Sequence, residues 1–154
     1  MSYYDDISKG YNELYGEEQK QKARLLKQHL KIKGLLLDIG AGTGISTEEF
    51  KDKATCILLD PSLEMLNKAN GLRVCAEAEH LPFKEKTFDT IVSLTALHHV
   101  NLENALVEIE RVAKRNASIG ISMLKKSSKS SKKLERWKEI KEEKDVIYLK
   151  DSQK

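Results

Sequence analysis

A glycine-rich run that follows an apolar one constrains this chain more than any other feature. Three leucines at 35–37 lead into Asp38, and glycines then stand at the alternate positions 40, 42 and 44. Glycine tolerates positive φ angles and lets the backbone approach a ligand where any Cβ would collide. The unpaired N–H groups of a following helix favour anionic or polar ligand atoms. The run therefore predicts a buried strand turning tightly into a helix, as at the nucleotide-binding corner of a doubly wound α/β domain.

Short apolar runs alternate with amphipathic ones along most of the chain. We predict strands at 35–39, 54–59, 72–76, 88–94 and 117–124, and helices at 17–31, 45–51, 63–69 and 102–114. Ser62 is expected to cap the helix at 63–69. Right-handed crossovers place the carboxyl ends of all parallel strands at one edge of the sheet. The prediction is an α/β fold with a Rossmann-like, doubly wound, mostly parallel sheet, whose site lies at the switch point between strands one and four.

The length of 154 residues predicts a single domain over residues 1–154. Its parts are an N-terminal arm and helix at 1–33, a cofactor-binding core at 34–124, and a basic C-terminal helix with one short strand, at 146–149, within 125–154. One strand there implies a shortened C-terminal hairpin. The sheet edge beside the strand at 117–124 would then be open, and such an edge tends to be paired or covered. A homodimer or a partner subunit is therefore expected.

Composition disfavours several classes of protein. The chain is 40% hydrophobic and 33% charged, which is typical of a globular protein, and no apolar run approaches a membrane span. Its first residues are polar and acidic, unlike a signal peptide. Cys56 and Cys75 lack metal-ligand spacing. We expect a cytoplasmic protein with two buried free thiols, no bound metal and no membrane contact.

The net charge of +3 is unevenly distributed. Residues 125–144 carry nine lysines and arginines against four glutamates. A basic segment on a mildly acidic body is typical of a protein with an anionic partner, such as tRNA. The alternative is a solvated helix face rich in lysine and glutamate.

Three acids end three successive predicted strands around the glycine run. Asp38 can accept hydrogen bonds from a ligand ammonium group or from the loop amides, and Asp60 suits two hydroxyls of a ribose. Glu77 can accept from the exocyclic amine of adenine while the backbone of Ala78 meets a ring nitrogen. The alternatives are a turn or helix-capping acid for Asp60 and an exposed loop acid for Glu77.

These motifs together resemble those of class I S-adenosylmethionine-dependent methyltransferases, of the small type 11 or ubiquinone-biosynthesis-like group. With flanking elements the resemblance covers Tyr3 to about Leu124, in the family's order and spacing. It implies a class I fold, S-adenosylmethionine as the cofactor, and transfer of a methyl group to an acceptor. The matching stretches are Leu37-Asp38-Ile39-Gly40-Ala41-Gly42-Thr43-Gly44, Leu59-Asp60-Pro61-Ser62 with Met65-Leu66, Ala76-Glu77-Ala78-Glu79 with Leu81-Pro82-Phe83, and Phe88-Asp89-Thr90-Ile91-Val92-Ser93 with Leu97-His98-His99.

The resemblance implies a role for each matching position. Asp38 and the backbone of Gly40 would hold the methionine amino group, and Asp60 would bind the ribose. Glu77 and Ala78 would contact the edge of the adenine. The other residues implied at the cofactor are Gly42, which leaves room for it, Gly44, Pro61, Leu59 or Met65 beside the adenine, and Ser93 and Leu94 near the methyl group.

Three side chains are candidates for a catalytic role: His98, His99 and Tyr11. A histidine beside the path of the methyl group can act as a general base, or it is a buried polar residue bonded to backbone. Tyr11 and Tyr4 resemble aromatic residues that fold over the cofactor as a lid, the alternative being surface packing of the N-terminal arm. Methyl transfer is an in-line displacement, which depends on alignment more than on a dedicated acid or base.

Departures from the family pattern concern the acceptor. Amine-methylating relatives carry Asp/Asn-Pro-Pro-aromatic after the fourth strand, where this chain has Ser93-Leu94-Thr95-Ala96. A small metabolite and a tRNA or protein are both expected acceptors, and some relatives with large acceptors need a small zinc-binding activator subunit. One alternative is a non-catalytic methyltransferase-like subunit. Another is a nicotinamide-dependent oxidoreductase, which Ile45 disfavours because its fingerprint needs glycine there.

Overall fold

As far as Leu124, the elements follow the predicted order, with a 3-10 turn in place of the helix predicted at 45–51. The computed structural model describes residues 3–127 and 131–151, without the side chains of residues 3–15, 98 and 127. Its helices are α1 (Tyr3–His29), α2 (Leu63–Leu66) and α3 (Leu102–Val112), with single 3-10 turns at Thr47–Phe50, Leu97–His99, Lys125–Ser127 and Leu134–Arg136. Its strands are β1 (Leu35–Ile39), β2 (Thr55–Asp60), β3 (Leu72–Cys75), β4 (Phe88–Leu94), β5 (Ala113–Leu124), β6 (Lys138–Lys141) and β7 (Asp145–Asp151).

The strands form one seven-stranded sheet in the order β3-β2-β1-β4-β5-β7-β6. Strands β1 to β5 run parallel, whereas β7 is antiparallel to β5 and to β6. The chain order reverses between β1 and β4, so Asp38 of β1 has Leu58 on one side and Val92 on the other. The predicted doubly wound, mostly parallel fold is confirmed, and its switch point lies at the end of β1.

Two hydrophobic layers enclose the sheet because the strands are apolar on both faces. On one face, Leu26 and Leu30 of α1 form a buried cluster with Leu36 of β1. On the other face, Leu106 of α3 forms a cluster with Leu37. Successive side chains of a strand point to opposite faces, so the two neighbouring leucines serve both layers. Each fully buried leucine contributes about 1.5–3 kcal/mol, and together the layers fix β1 and the glycine run after it.

The region after β5 differs from the prediction. The basic helix predicted within 125–154 is wrong, since 3-10 turns lead instead to the strand β6. The strand predicted at 146–149 is confirmed, and as β7 it extends over Asp145–Asp151 and pairs with β5 along its length. Lysine and glutamate favour a helix, but strand pairing outweighs that preference here. Strand β6 leaves the side chains of Lys138, Glu139 and Lys141 exposed, so these charged residues are tolerated in a strand. Strand β7 therefore covers the edge beside β5. The open edge that was the reason for expecting a homodimer is occupied by the chain itself.

Helix boundaries also differ. The helix α1 includes the predicted arm, and the segment 45–51 forms only a 3-10 turn. Ser62 caps α2 as predicted, accepting a hydrogen bond from the Met65 N–H, but α2 ends at Leu66 instead of 69. The Arg73 guanidinium donates to the carbonyls of Leu66 and Ala69, at 3.1 and 2.9 Å, and so satisfies groups at the helix end. No helix in the described part of the chain is long and apolar enough to cross a membrane.

The two thiols have different environments. Cys56 is buried in β2, whereas Cys75, at the end of the edge strand β3, is exposed. The prediction of two buried thiols is therefore wrong for Cys75, because within the described residues β3 has a neighbouring strand on one side only.

Candidate functional site

The glycine run forms a tight loop attached to the end of β2. The N–H groups of Gly40 and Ala41 both donate to the carbonyl of Leu59, at 2.7 and 3.0 Å. Gly40 has a φ of 75°, and a Cβ built there would lie 2.2 Å from the Cβ of Ala96. The loop therefore needs glycine at this position, both for its backbone conformation and for its close approach to the segment after β4.

Asp60 connects this loop to the start of α2. One carboxylate oxygen accepts the N–H of Gly42 and the other accepts the N–H of Ser62, each at 2.9 Å. Burial raises the pKa of the carboxyl, and the two backbone hydrogen bonds oppose that rise. Each oxygen of a carboxylate has a second lone pair, so Asp60 can still accept from hydroxyl groups of a ligand. The turn-forming role and the ribose-binding role predicted for Asp60 are thus compatible.

Asp38 lies behind the loop. Its side chain is buried, with the residue only 1% exposed, and it accepts a hydrogen bond from the hydroxyl of Thr47 at 2.6 Å. Burial raises its pKa to about 7, the Thr47 hydroxyl opposes the rise, and the negative charge of Asp60 adds to it. The structure therefore gives Asp38 a partner within the protein, in the turn that follows the glycine loop.

A cavity of about 370 Å³ opens at the carboxyl ends of β1 and β2. It brings together residues that the sequence predicted from four separate stretches: Gly40, Asp60, Pro61, Glu77, Ala78 and His99. Leu59, implied beside the adenine, lines it as well. Sites of this size and position are typical of small-molecule binding in doubly wound folds.

The lining of the cavity combines acidic residues with apolar ones. Asp60, Glu77 and Glu79 supply three carboxylates, and no lysine or arginine is found among the described residues that line it. Glu79 also accepts the N–H of Asn101 at 3.1 Å, at the start of α3. Such a cavity suits a ligand that carries positive charge and hydroxyl groups, and it disfavours one that carries phosphates.

Other predicted site residues lie outside the cavity lining. Ser93 is buried in β4 and donates to the carbonyl of Ile39 at 3.0 Å, which fixes the end of β1 against β4. Leu94 is buried on the α1 face. Gly42 meets Asp60 through its N–H, and the methyl group of Met65 would lie 3.3 Å from a Cβ at Gly42. Of these residues, Gly42 belongs to the loop and meets Asp60, whereas Ser93 and Leu94 fix the strands beside it.

Gly44 has a packing role. Its φ is 81°, and a Cβ there would lie 2.7 Å from Leu58 and 3.3 Å from Ala69. The third glycine of the run therefore allows the chain to pass closely over β2 and the segment after α2.

Sequence reasoning missed the turn after β4. Thr95 has a φ of 52°, uncommon for a β-branched residue, and its N–H donates to the carbonyl and hydroxyl of Ser122 at 2.9 and 3.0 Å. Its hydroxyl accepts from the buried side-chain amide of Gln19, at 3.4 Å. This turn places Ala96 and Leu97 in the cavity wall. Gln19 shares the helical spacing of the buried α1 residues, which was the available signal.

Three catalytic or lid predictions fall on side chains outside the described residues, namely those of His98, Tyr4 and Tyr11. The backbone of both tyrosines belongs to α1. His99 lies in the 3-10 turn Leu97–His99, is exposed, and borders the cavity.

The comparisons with known proteins agree with this geometry. The family model described as "Methyltransferase domain" matches residues 37–121, which begin at β1 and end in β5. An uncharacterised protein of Methanocaldococcus jannaschii is 41% identical over 119 residues, covering 73% of this chain and 46% of the relative. The chain therefore spans about half the length of that relative.

Solved structures share the fold over most of the chain. A SAM-dependent methyltransferase of Aquifex aeolicus superimposes with a TM-score of 0.74 at 19% identity, covering 94% of this chain and 96% of the other. A Haloferax volcanii chain, solved in complex with the Trm112 methyltransferase activator, gives a TM-score of 0.69 at 20% identity, covering 78% and 57%. At these sequence identities, the similarity shows a shared fold and nothing more.

Proposed function

The chain belongs to the methyltransferase domain family, and from that premise we propose that it binds S-adenosylmethionine in the acidic cavity and transfers the methyl group to an acceptor. One observation carries the proposal. Three carboxylates line one cavity together with Gly40 of the glycine loop, and no lysine or arginine is found in the described lining. S-adenosylmethionine carries positive charge on its sulfur and its amino group and negative charge on its carboxylate, so its net charge is positive, and it has a ribose but no phosphate.

The residues present fit this cofactor. Gly40 offers bare backbone at the cavity, and Asp60 is held by Gly42 and Ser62 with lone pairs left for the two ribose hydroxyls. Glu77 and the backbone of Ala78 lie on the same wall, in reach of an adenine edge. Asp38 would act through Thr47 and the loop, as a residue that positions the glycine backbone.

The chain's own contribution to methyl transfer is alignment and exclusion of water. When bound, the cofactor would supply a methyl group activated by its bond to a cationic sulfur, with the neutral thioether as the leaving group. The apolar side chains of Ala96, Leu97 and Val100 form the wall after β4 and keep water from that side of the cavity. Correct placement of two reactants can account for a large part of a rate enhancement without a dedicated acid or base.

His99 is the candidate for taking a proton from the acceptor. It borders the cavity and is exposed, so it can meet an acceptor that arrives from solvent. His98 and Tyr11 stay predictions of the same role. A His99→Gln variant should retain cofactor binding while losing turnover, which separates a proton acceptor from a cofactor ligand.

A small activator subunit is a proposed partner. The support is the fold shared with the Haloferax volcanii chain that was solved with the Trm112 activator, and the free side of the edge strand β3, where Leu72 is 57% exposed. Affinity purification of the tagged chain from its native cells, followed by mass spectrometry, should recover a small protein in equimolar amount. Recovery of the chain alone would contradict this partner.

Isothermal titration calorimetry tests the cofactor assignment. We expect S-adenosylmethionine and S-adenosylhomocysteine to bind, NADH to give no heat, and Asp60→Asn to weaken binding at least tenfold. The control is Asp52→Asn, because Asp52 is an exposed acid that pairs with Lys27 and is not among the residues that line the cavity. Binding of NADH, or equal binding by both variants, would contradict the proposal.

The acceptor classes predicted from sequence are a small metabolite, a tRNA and a protein. Cell extract divided into metabolite, RNA and protein fractions, each incubated with the chain and cofactor labelled on the methyl group, identifies the class. Label should appear in one fraction only and should be absent with Asp60→Asn.

A further inference from the structure

A second cavity, of about 780 Å³, lies at the edge of the sheet opposite the glycine loop. The strand β7 runs antiparallel to β5, so Asp145 lies beside Leu124 and Asp151 beside Ser118. The end of β7 is therefore near the amino ends of the parallel strands. Leu149 and Asp151 line this cavity together with His29 at the end of α1.

Basic side chains dominate its lining. The cations are Lys132, Lys133, Arg136, Lys138 and Lys150, and the acids are Glu110 and Asp151. Glu110 accepts from both Lys133 and Lys150, at 3.0 and 3.2 Å. Within the described ranges no ion pair is found for Lys132, Arg136 or Lys138, and all three are exposed. A positive surplus therefore remains after the internal pairs are formed.

The positive surface continues into a neighbouring cavity of about 520 Å³. Glu110 and Lys150 line both cavities, which are thus adjacent. Lys86 and Arg115 line the second one, and no ion pair involving them is found in the part of the chain that is described. We call the joined surface the basic track and define it by Lys86, Arg115, Lys132, Arg136, Lys138 and Lys150.

The track is held by the hydrophobic core. Leu134 and Trp137 are 3% and 8% exposed and belong to the cluster that includes α3. The ammonium group of Lys150 lies 5.8 Å from the centre of the Trp137 ring. Leu134 and Trp137 each stand within two residues of Arg136, so the backbone that carries Lys132, Arg136 and Lys138 is fixed before any ligand arrives.

We propose that the basic track binds the phosphodiester backbone of a nucleic acid strand. A surface that extends over two adjoining cavities suits a polyanion with regularly spaced charges better than a single small anion. The Trp137 ring is buried, so recognition goes through phosphates and is independent of base sequence. This inference goes beyond the proposed methyl transfer and does not rest on it.

An acidic protein fits the surface less well. Protein interfaces are enriched in aromatic residues and depleted in lysine at their centre. The exposed large hydrophobic residues among the described ones are Leu63, Leu72 and Val107, and none of them lines either cavity of the track.

Fluorescence anisotropy with a labelled single-stranded 20-nucleotide RNA tests the proposal. Binding should weaken steeply with salt, with a logarithmic slope of roughly 0.7 for each phosphate contacted. Arg136→Glu with Lys138→Glu should weaken binding at least tenfold and reduce the slope. Lys86→Glu with Arg115→Glu, in the other cavity, should do the same if the track is continuous.

The matched control is Lys126→Glu with Lys144→Glu. This double substitution makes the same change of net charge and lies within the basic segment 125–144. Both residues are exposed and lie near the junction of β5 and β7, at the edge of the sheet opposite the basic track. It should bind RNA within about twofold of the unmodified chain. Circular dichroism and calorimetry with S-adenosylmethionine show that each variant folds and keeps the first site, so failure of one site is read separately from failure of the other.

Three outcomes would overturn the proposal. One is salt-insensitive or undetectable binding of RNA by the unmodified chain. Another is an equal loss in the control and the track variants, which would show a response to net charge alone. The third is displacement of RNA by tripolyphosphate at an equal concentration of phosphate groups, which would show a site for small anions. Parallel titrations with single-stranded and duplex DNA identify the kind of nucleic acid that the track prefers.

Discussion

The hydroxyl of Thr47 donates a 2.6 Å hydrogen bond to the buried carboxyl group of Asp38, and this contact joins the turn after the glycine loop to the end of β1. A buried carboxylate that loses its donor keeps the cost of its desolvation. Thr47→Val should therefore lower the free energy of unfolding by about 1–3 kcal/mol. Urea denaturation at pH 8 and pH 5.5 should show a larger loss at pH 8, where the carboxyl group is charged.

A second threonine provides the comparison for that experiment. Thr87 donates to the carbonyl of Lys84 at 2.6 Å, and its acceptor does not titrate. The effect of Thr87→Val should be the same at both pH values. If both variants show the same dependence on pH, the Thr47–Asp38 contact has no part in it.

The raised pKa of Asp38 makes stability depend on pH. Its folded value of about 7 exceeds the ordinary 3.8, mainly because of burial, so the folded protein holds a proton that the unfolded chain has released. Stability contributed by this group should be greatest below pH 4, fall as the pH rises to about 7, and stay level above that. Asp38→Asn removes this titration.

The measurement is the difference in unfolding free energy between the native chain and Asp38→Asn from pH 4 to pH 8. As the pH rises, the unfolding free energy of the native chain should fall relative to that of Asp38→Asn. Using the difference matters because Asp89 and Glu108, whose pKa values are lowered by a backbone N–H and by Arg111 respectively, act in the opposite direction in both proteins. A constant difference would contradict a raised pKa at Asp38.

Gly40→Ala should damage both the fold and the cofactor site. The left-handed backbone costs a residue with a Cβ about 1–2 kcal/mol, and the new methyl group would lie 2.2 Å from that of Ala96. Gly71→Ala isolates the first effect, since Gly71 has a φ of 105° and only a lysine ammonium group within 4 Å. In thermal unfolding, Gly40→Ala should have a lower melting temperature than Gly71→Ala. Adding Ala96→Gly to Gly40→Ala should recover part of the lost stability.

The ion pair between Lys22 and Asp145 should anchor the C-terminal hairpin to α1. The two charged groups are 3.1 Å apart and their side chains are 11% and 9% exposed. Lys22→Met leaves the Asp145 charge without its cation and should cost about 3–5 kcal/mol by urea denaturation. Lys27→Met, which breaks the more exposed pair with Asp52, should cost less than about 1 kcal/mol. Equal losses would show that burial of the first pair is unimportant.

The parts of the fold that sequence predicted well are those with one dominant signal. The strands at 35–39 and 88–94 were predicted to the residue, because both are short runs rich in apolar and β-branched residues and are buried on two faces. The acids Asp60 and Glu77 were placed at the correct edge by the rule that parallel strands end together.

The parts that it missed depend on contacts between distant residues. The strand β6 exists because β7 pairs with it, although lysine and glutamate favour a helix there. The position of Asp38 behind the loop depends on Thr47, nine residues away and on another element. The left-handed turn at Thr95 is fixed by Ser122, and a threonine gives no local signal for it.

The unequal exposure of the two cysteines gives the chain a natural labelling position. Burial, together with the negative charge of Asp38, raises the pKa of Cys56 to about 11, so that thiol is unreactive near neutral pH. Cys75 is exposed and its sulfur lies 3.5 Å from the carbonyl of Pro61, a residue that lines the acidic cavity. A maleimide fluorophore added to the native sequence would attach at Cys75, and its emission would report occupancy of the cavity without an engineered cysteine.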